Sequence, residues 1–259
     1  MMRVLYVAGA GRSGSTLLGH LLGAHDGVFH GGEMRYAWLA RDRDRLCGCG
    51  TPVRECPVWT RILTVGPVVE PSGLLEGTLR TKHFPRWLVG YGGESARLVS
   101  ALLRQMYQQV ADVTGAKLIV DTSKRPAQPL AAKRGGVDVQ VVHLVRDRAA
   151  VARSDANPKA TPDGQFLPQR DRARSTINWT AKNAAAWLLS LDLPYRRVAF
   201  KELQRTPRDV VEGVLSWCGV EPSGVSWDGR TVDVGVQHPV WGNPGVMFHQ
   251  GPLLVRPGP

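Results

Sequence analysis

One stretch of this chain puts glycines, hydroxyls and a cation in the order that suits an anion. Gly9-Ala10-Gly11-Arg12-Ser13-Gly14-Ser15-Thr16 follows the apolar run Arg3–Ala8 and precedes Leu17, Leu18, Leu21 and Leu22 at helical spacing. Strand, glycine turn and helix aim backbone N–H groups and the positive end of a helix at a negatively charged group. Against the nucleotide-binding pattern G-x-x-x-x-G-K-[ST], Gly9, Gly14 and Thr16 match, but Ser15 stands where the lysine belongs. A kinase or NTPase needs that lysine on the phosphates and an acidic group on Mg²⁺, so ATP chemistry is disfavoured while the cradle is intact. Arg12 offers a replacement cation whose planar fork suits several anionic oxygens at once.

A second cluster ends the run Asp138–Val145: Arg146-Asp147-Arg148, with Ser154 eight residues after Arg146. Arg and Ser so spaced could share one phosphate; alone, the pattern is more often a helix cap with a surface charge. A third, Asp121-Thr122-Ser123-Lys124-Arg125, follows the short run Lys117–Asp121 and adds another cation at a strand end.

Positioning these groups requires strands that end together. The runs Arg3–Ala8, Lys117–Asp121, Asp138–Val145 and Arg197–Phe200 read as strands. Between them, Ser15–Ala24, Glu94–Thr114, Asp171–Leu191 and Pro207–Cys218 read as helices. In Glu94–Thr114 the stripe is Val99, Leu102, Leu103, Met106, Val110 and Val113; in Asp171–Leu191 it is Ile177, Ala181, Ala184, Leu188 and Leu191. Such alternation predicts an α/β, P-loop-like three-layer fold, a central mostly parallel sheet flanked by helices. One domain over 1–259 is expected, with Val65–Gly92 as loops and 236–259 as a C-terminal loop and tail. Asn157–Gln169, rich in proline, is long enough for a substrate lid or a disordered loop.

The composition agrees with a globular chain. Of 259 residues, 43% are hydrophobic and 21% charged, with a net charge of +11. That argues against disorder, collagen and coiled coil, and no apolar run is long enough to span a bilayer. The N-terminal apolar run reads as a first strand, not a secretory leader. Four cysteines do not make a disulfide framework at this length, so a cytoplasmic location is expected. The basic excess fits a cleft for an anion; there is no zinc finger or RNP motif, and no specific nucleic-acid partner is expected.

Gly11-Arg12-Ser13-Gly14-Ser15-Thr16-Leu17-Leu18 resembles the 5′-phosphosulfate loop of sulfotransferases that use 3′-phosphoadenosine 5′-phosphosulfate (PAPS). The continuation Ala24-His25-Asp26-Gly27-Val28, then Gly32-Glu33-Met34-Arg35, is similar to tyrosylprotein sulfotransferases and their bacterial relatives, with Asp26 in place of the usual proline. The resemblance implies that Gly11, Arg12, Ser13, Gly14, Ser15 and Thr16 hold the 5′-phosphosulfate. It implies that Arg146 and Ser154 hold the 3′-phosphate, and that Ser123 and Lys124 lie near the sulfate. The resemblance also implies that Glu33 is the general base, with Arg12 and Lys124 as catalytic cations. His25 and His30 are rivals for the base, because cytosolic small-molecule sulfotransferases employ a histidine.

His238-Pro239-Val240-Trp241-Gly242-Asn243-Pro244 is similar to the family's C-terminal H-x-x-x-G-N-P segment, which places Gly242 and Asn243 at the nucleotide. The basic residue that usually follows is absent, and Lys201 stands where relatives tend to carry an acid. Cys47-Gly48-Cys49-Gly50 and Cys56-Pro57 are similar to a family loop near Trp59 and supply three cysteines, where a structural metal site wants four ligands. Trp38 follows Glu33 closely enough to line an acceptor pocket.

The expected activity is therefore sulfuryl transfer from PAPS to an acceptor hydroxyl on a natural product, glycan or phenol, without a metal. A P-loop kinase or NTPase, and a non-catalytic anion- or nucleic-acid-binding module, are the alternatives.

Overall fold

A computed structural model of the chain describes residues 2–63, 71–90, 92–157 and 171–258. The central sheet contains β1 (Arg3–Ala8), β2 (Val28–Gly32), β3 (Leu118–Asp121), β4 (Asp138–Val145) and β5 (Tyr195–Ala199). All are parallel, in the order β2-β3-β1-β4-β5. The expected α/β architecture is thus observed. β1 lies between two neighbours and is covered on both faces, which is why its sequence is continuously apolar and not alternating.

Side chains still sort by face with period two. Val4, Tyr6 and Ala8 join Ile119, Val139 and Val141 in one core; Leu5 and Val7 join Leu118, Val120, Val142 and Leu144 in the other. The second core is covered by α1 (Ser15–Gly23), through Leu18, Leu21 and Leu22, and by α11 (Pro207–Trp217), through Val211, Val214 and Leu215. On the first core lie α2 (Ala37–Asp42), α3 (Trp59–Ile62), α4 (Pro71–Thr78), α5 (Phe84–Leu88), α6 (Glu94–Thr114) and α7 (Ala127–Arg134). The apolar stripe of α6 is buried as its spacing predicts, and Gly115 ends the helix in the left-handed conformation at φ 69°. Connecting elements are α8 (Arg148–Ala156), α9 (Arg172–Leu188) and α10 (Phe200–Arg205).

Several sequence expectations are corrected. Within Val65–Gly92, read as loops, α4 and α5 form because Leu75, Phe84 and Trp87 find the first core. The segment 236–259, read as loop and tail, carries α12 (Pro244–Met247) and β8 (Pro252–Leu254). β8 pairs antiparallel with β7 (Thr231–Asp233), which also pairs with β6 (Trp227–Asp228). The strand expected over Arg197–Phe200 begins earlier, and Phe200 opens α10. β2 was not anticipated at all, because Val28-Phe29-His30-Gly31-Gly32 is too short and glycine-rich to read as a strand.

The largest correction concerns α9. Its apolar stripe faces outward: Ile177 is 68% and Leu191, in the 3₁₀ turn that follows, 71% exposed, and Ala181 and Ala184 are exposed too. Ser175, Asn183 and Ala186 face inward instead. Polar partners decide this orientation. Asn183 Oδ1 lies 2.7 Å from His143 Nε2, and the Trp179 indole donates to the Arg146 carbonyl at 2.9 Å. Leaving the buried His143 ring without a partner would cost more than exposing a few methyl groups.

From β1 the chain crosses to β2 and returns through β3, then passes to β4 on the other side of β1 and on to β5. Loops leaving β1 and β4 therefore part in opposite directions. The crevice at their carboxyl ends is where open α/β sheets hold ligands. Among the described residues no helix is long and apolar enough to cross a membrane.

Candidate active site

The β1–α1 turn shapes one wall of that crevice. Gly14 has φ 93°, and a Cβ there would enter the Phe200 ring. Arg12, although not glycine, is held at φ 62°. Left-handed backbone at a non-glycine residue costs about 1–3 kcal/mol and persists only where surroundings enforce it. Lys124 shares this conformation at φ 57°, so both cations expected near the sulfate sit on strained backbone. Gly14→Ala is expected to lower stability by about 2 kcal/mol or more through strain and the Phe200 clash, read as a shifted denaturation midpoint. An unchanged midpoint would contradict this account of the turn.

A cleft of about 530 Å³ opens above the turn. Gly11, Arg12, Gly14, Ser15, Thr16, Glu33, Ser123, Lys124, Arg146, Ser154, Gly242 and Asn243 all border it. Of the anticipated site residues, Ser13 alone does not line it; its side chain is buried within the turn. Among the described residues the cleft wall carries six basic side chains (Arg12, Arg35, Lys124, Arg125, Arg146 and Lys182) and one carboxylate, Glu33.

Glu33 stands directly before the 3₁₀ turn Met34–Tyr36, its N–H bonded to the Trp241 carbonyl at 3.0 Å. Its Oε1 accepts from Lys124 Nζ at 2.7 Å, and Oε2 lies 3.4 Å from Arg35 Nη2. Burial pushes the carboxyl upward, but Lys124 and Arg35 outweigh it, so Glu33 titrates below its ordinary value. The group is ionised at neutral pH and can accept a proton. Arg35 is fixed by Ser123, whose carbonyl accepts from Nε at 3.2 Å, and by Glu76, which also holds Arg125.

Arg12 uses its Nε toward Asp155 Oδ1 at 3.4 Å, and Asp155 is held in turn by the Ser175 hydroxyl at 2.8 Å. Arg146 donates to the Arg12 carbonyl at 3.0 Å and lies over the Phe200 ring at 4.7 Å, tying the β4 loop to the β1 loop. Asp147 caps α8 by accepting from Ala150 N–H at 2.9 Å, so the capping reading holds for Asp147, while Arg146 and Ser154 border the cleft. A neighbouring cleft shares Arg146, Ser154 and Phe200 and adds Arg153 and Lys201. That position gives Lys201, unexplained in the sequence, a place beside the candidate phosphate site.

Lys182 and Tyr36 were missed. Lys182 comes from α9, and the apolar stripe of that helix gave no reason to turn it inward. Its Nζ donates to the Lys124 carbonyl at 2.6 Å. Burial, then Arg125 and Arg35, bring it down to about 7. An inorganic sulfate in the cleft is therefore expected to bind best below pH 7 and to weaken as the pH rises through 7, where Lys182 loses its proton. A Lys182→Met variant should flatten that dependence in calorimetric titrations; an identical pH profile would remove Lys182 from the anion site.

The histidine rivals are elsewhere. His25 Nδ1 lies 3.2 Å from the Ser223 carbonyl. His30 packs edge-on against His20, with ring centroids 5.0 Å apart, and lies against Gly19 of α1. Trp38 is buried in the core; Tyr36 and Trp241, with ring centroids 4.6 Å apart, border the cleft instead, as does Phe200. Most of the candidate lid, residues 158–169, lies outside the described residues.

Two features bear on phosphotransfer. The Thr16 hydroxyl, which would face Mg²⁺ in a kinase, accepts the Asn243 N–H at 3.0 Å. Asp121, at the end of the strand beside β1, is fully buried. It takes hydrogen bonds from Tyr107 at 2.7 Å, Gln128 at 2.8 Å and the Ser123 N–H at 2.8 Å, and burial pushes it up to about 6.

No protein-family model and no curated protein matches the chain. Solved structures do. The sulfotransferase domain from the Synechococcus PCC 7002 olefin synthase is 18% identical, with 86% of this chain and 76% of that one covered and a TM-score of 0.48. The sulfotransferase domain from the curacin biosynthetic pathway is 14% identical, covering 97% and 84%, with a TM-score of 0.49. A sugar kinase from Janibacter sp. HTCC2649 is 15% identical, covering 88% and 100%, with a TM-score of 0.43. These are distant likenesses of overall fold, and they span sulfotransferases and a kinase alike.

Proposed function

We propose that this protein is a PAPS-dependent sulfotransferase that moves a sulfuryl group to an acceptor hydroxyl. The observation that carries the reading is the Lys124–Glu33 pair at the mouth of a lysine-less phosphate loop: an ionised carboxylate beside the cations that would face the sulfate. The residues fit the nucleotide. Gly11 borders the cleft and would admit a Cβ without any protein atom within 4 Å, so backbone amides can approach an anion closely. Arg146, Ser154, Arg153 and Lys201 converge on a second basic region, which supports a 3′-phosphate there without the family's usual C-terminal basic residue.

The donor supplies an activated sulfuryl group on a 5′-phosphate leaving group. In a single in-line displacement the acceptor oxygen bonds to sulfur as the bond from sulfur to the 5′-phosphate oxygen breaks, and the acceptor proton passes to Glu33. Arg12, Lys124 and the N-terminus of α1 stabilise charge on the transferring and leaving oxygens. Lys124 can follow that charge while Arg35 continues to hold Glu33. A sulfonate carries less charge than a γ-phosphate, so side-chain cations suffice for this step without a catalytic metal. Tyr36 and Trp241 offer a ring-binding wall for a phenol or sugar.

A small-molecule or glycan acceptor, a cytoplasmic location and a single domain without a specific nucleic-acid partner belong to the same proposal. The sugar-kinase likeness keeps phosphotransfer as the alternative. A thermal-shift comparison separates the two: stabilisation by 3′-phosphoadenosine 5′-phosphate without Mg²⁺ supports the proposal, and stabilisation by Mg²⁺-ATP alone refutes it. Labelled PAPS offered with a panel of hydroxyl acceptors then identifies the product.

A further inference from the structure

Cys47, Cys49 and Cys56 lacked a fourth ligand in the sequence, and the fold supplies one from the far end of the chain. The three sulfurs and a ring nitrogen of His238 all lie within 4.8 Å of one another. Cys56 Sγ is 3.3 Å and Cys47 Sγ 3.8 Å from His238 Nδ1, and Cys49 Sγ is 3.8 Å from Cys56 Sγ. A tetrahedral zinc with its usual bond lengths needs edges of about 3.8 Å between sulfurs and about 3.5 Å from sulfur to nitrogen. The cluster already has nearly those dimensions.

We propose that Cys47, Cys49, Cys56 and His238 bind one structural zinc ion that fastens the C-terminal segment to the wall of the cleft. With four protein ligands the coordination sphere is closed, as in a structural site. The surroundings are those of a metal knuckle. Main-chain N–H groups of Val58 and Trp59 point at Cys56 Sγ, that of Thr51 at Cys49 Sγ and that of Cys49 at Cys47 Sγ. Such N–H···S bonds orient and stabilise thiolates around a metal. Gly50 has φ 90°, which lets the Cys47–Thr51 turn close, and a Cβ on Gly48 would strike Pro239. The histidine is held from behind: Trp59 Nε1 donates to its carbonyl at 2.7 Å, and Gly48 N–H to the Pro239 carbonyl at 2.9 Å.

Binding would release the thiol protons and leave a complex of one Zn²⁺, three thiolates and a neutral imidazole, with net charge −1. Its effect on the site is mechanical. From His238 the chain runs through Val240, bonded to the Gly31 carbonyl at 3.1 Å, to Trp241, Gly242 and Asn243 on the cleft wall. The site stands independently of the nucleotide reading, because none of its ligands touches the cleft.

The test uses the full chain, purified from zinc-replete cells without added metal and dialysed. Atomic absorption should find about one zinc per chain, and modification of three thiols by a mercurial should release it. Cobalt in place of zinc should give thiolate-to-metal charge-transfer bands and a tetrahedral spectrum. Chelation should lower Tm by about 10 °C or more, and zinc should restore it. His238→Cys should keep the metal, whereas His238→Ala should lose it or weaken binding by at least tenfold to a hundredfold. Should the histidine variants fail to fold, metal content and thiol release on the wild type still decide. Substoichiometric metal with unchanged Tm in chelator, or a Cys49–Cys56 disulfide in the native protein, would overturn the assignment.

Discussion

Glu33→Gln is expected to slow sulfuryl transfer by about 10²–10⁴-fold while leaving the fold and nucleotide affinity in place. The substitution preserves the shape of the side chain and its bond to Lys124 Nζ through an amide oxygen, but it cannot take a proton. Two cations hold Glu33 ionised, so wild-type activity should not fall until the pH drops below the ordinary carboxylate range. The acid limb of the rate profile should therefore lie low. Lowered pKa also makes Glu33 a modest base, which suits a loose transition state in which the acceptor proton leaves late. Turnover of Glu33→Gln with a rate and pH profile like those of the wild type would remove it from the chemistry. Lost nucleotide binding would instead mark a structural role.

Arg146→Met should be the most damaging change for nucleotide binding. A charge-assisted hydrogen bond contributes about 1.5–3 kcal/mol, so each bond lost to a phosphate lowers affinity about 10- to 150-fold. The selective part of this expectation is its dependence on the ligand. If Arg146 grips a 3′-phosphate, the variant should bind 3′-phosphoadenosine 5′-phosphate much more weakly yet bind adenosine 5′-phosphate as the wild type does. Arg146 also donates to the Arg12 carbonyl and lies over Phe200, so equal losses for both nucleotides would mean that it merely shapes the β1 turn. Isothermal titration with the two ligands distinguishes these outcomes.

The parts of the site legible in the sequence are those encoded within a few residues. The turn Gly9–Thr16 could be read because its glycines, hydroxyls and following leucines are contiguous, and its backbone is locally encoded: Gly14 sits at φ 93°, a conformation that favours glycine. Arg146 and Ser154 were legible for a related reason, since both lie within one strand–helix junction. The long helix Glu94–Thr114 was readable from its own period, because a single helix with one apolar face has few ways to bury it.

Other features depended on neighbours. The apolar stripe of α9 predicted the wrong face, since a buried histidine and the Arg146 and Lys124 carbonyls all took polar partners from that helix. Trp38, expected at an acceptor pocket, is buried in the core, and Tyr36, for which the sequence held no expectation, meets Trp241 at the cleft.

By itself, then, the amino-acid order determined the alternating strands and helices, the glycine turn after the first strand and the cations at three strand ends, because short-range sterics and periodicity specify them. Only tertiary structure decided which side chains meet across the chain. It brought Lys182 under Lys124, set Glu33 between two cations, took the Thr16 hydroxyl for Asn243, and carried His238 to three cysteines nearly two hundred residues away. Those meetings follow from sheet order and from the need to partner buried polar groups, and neither is written in any local stretch of residues.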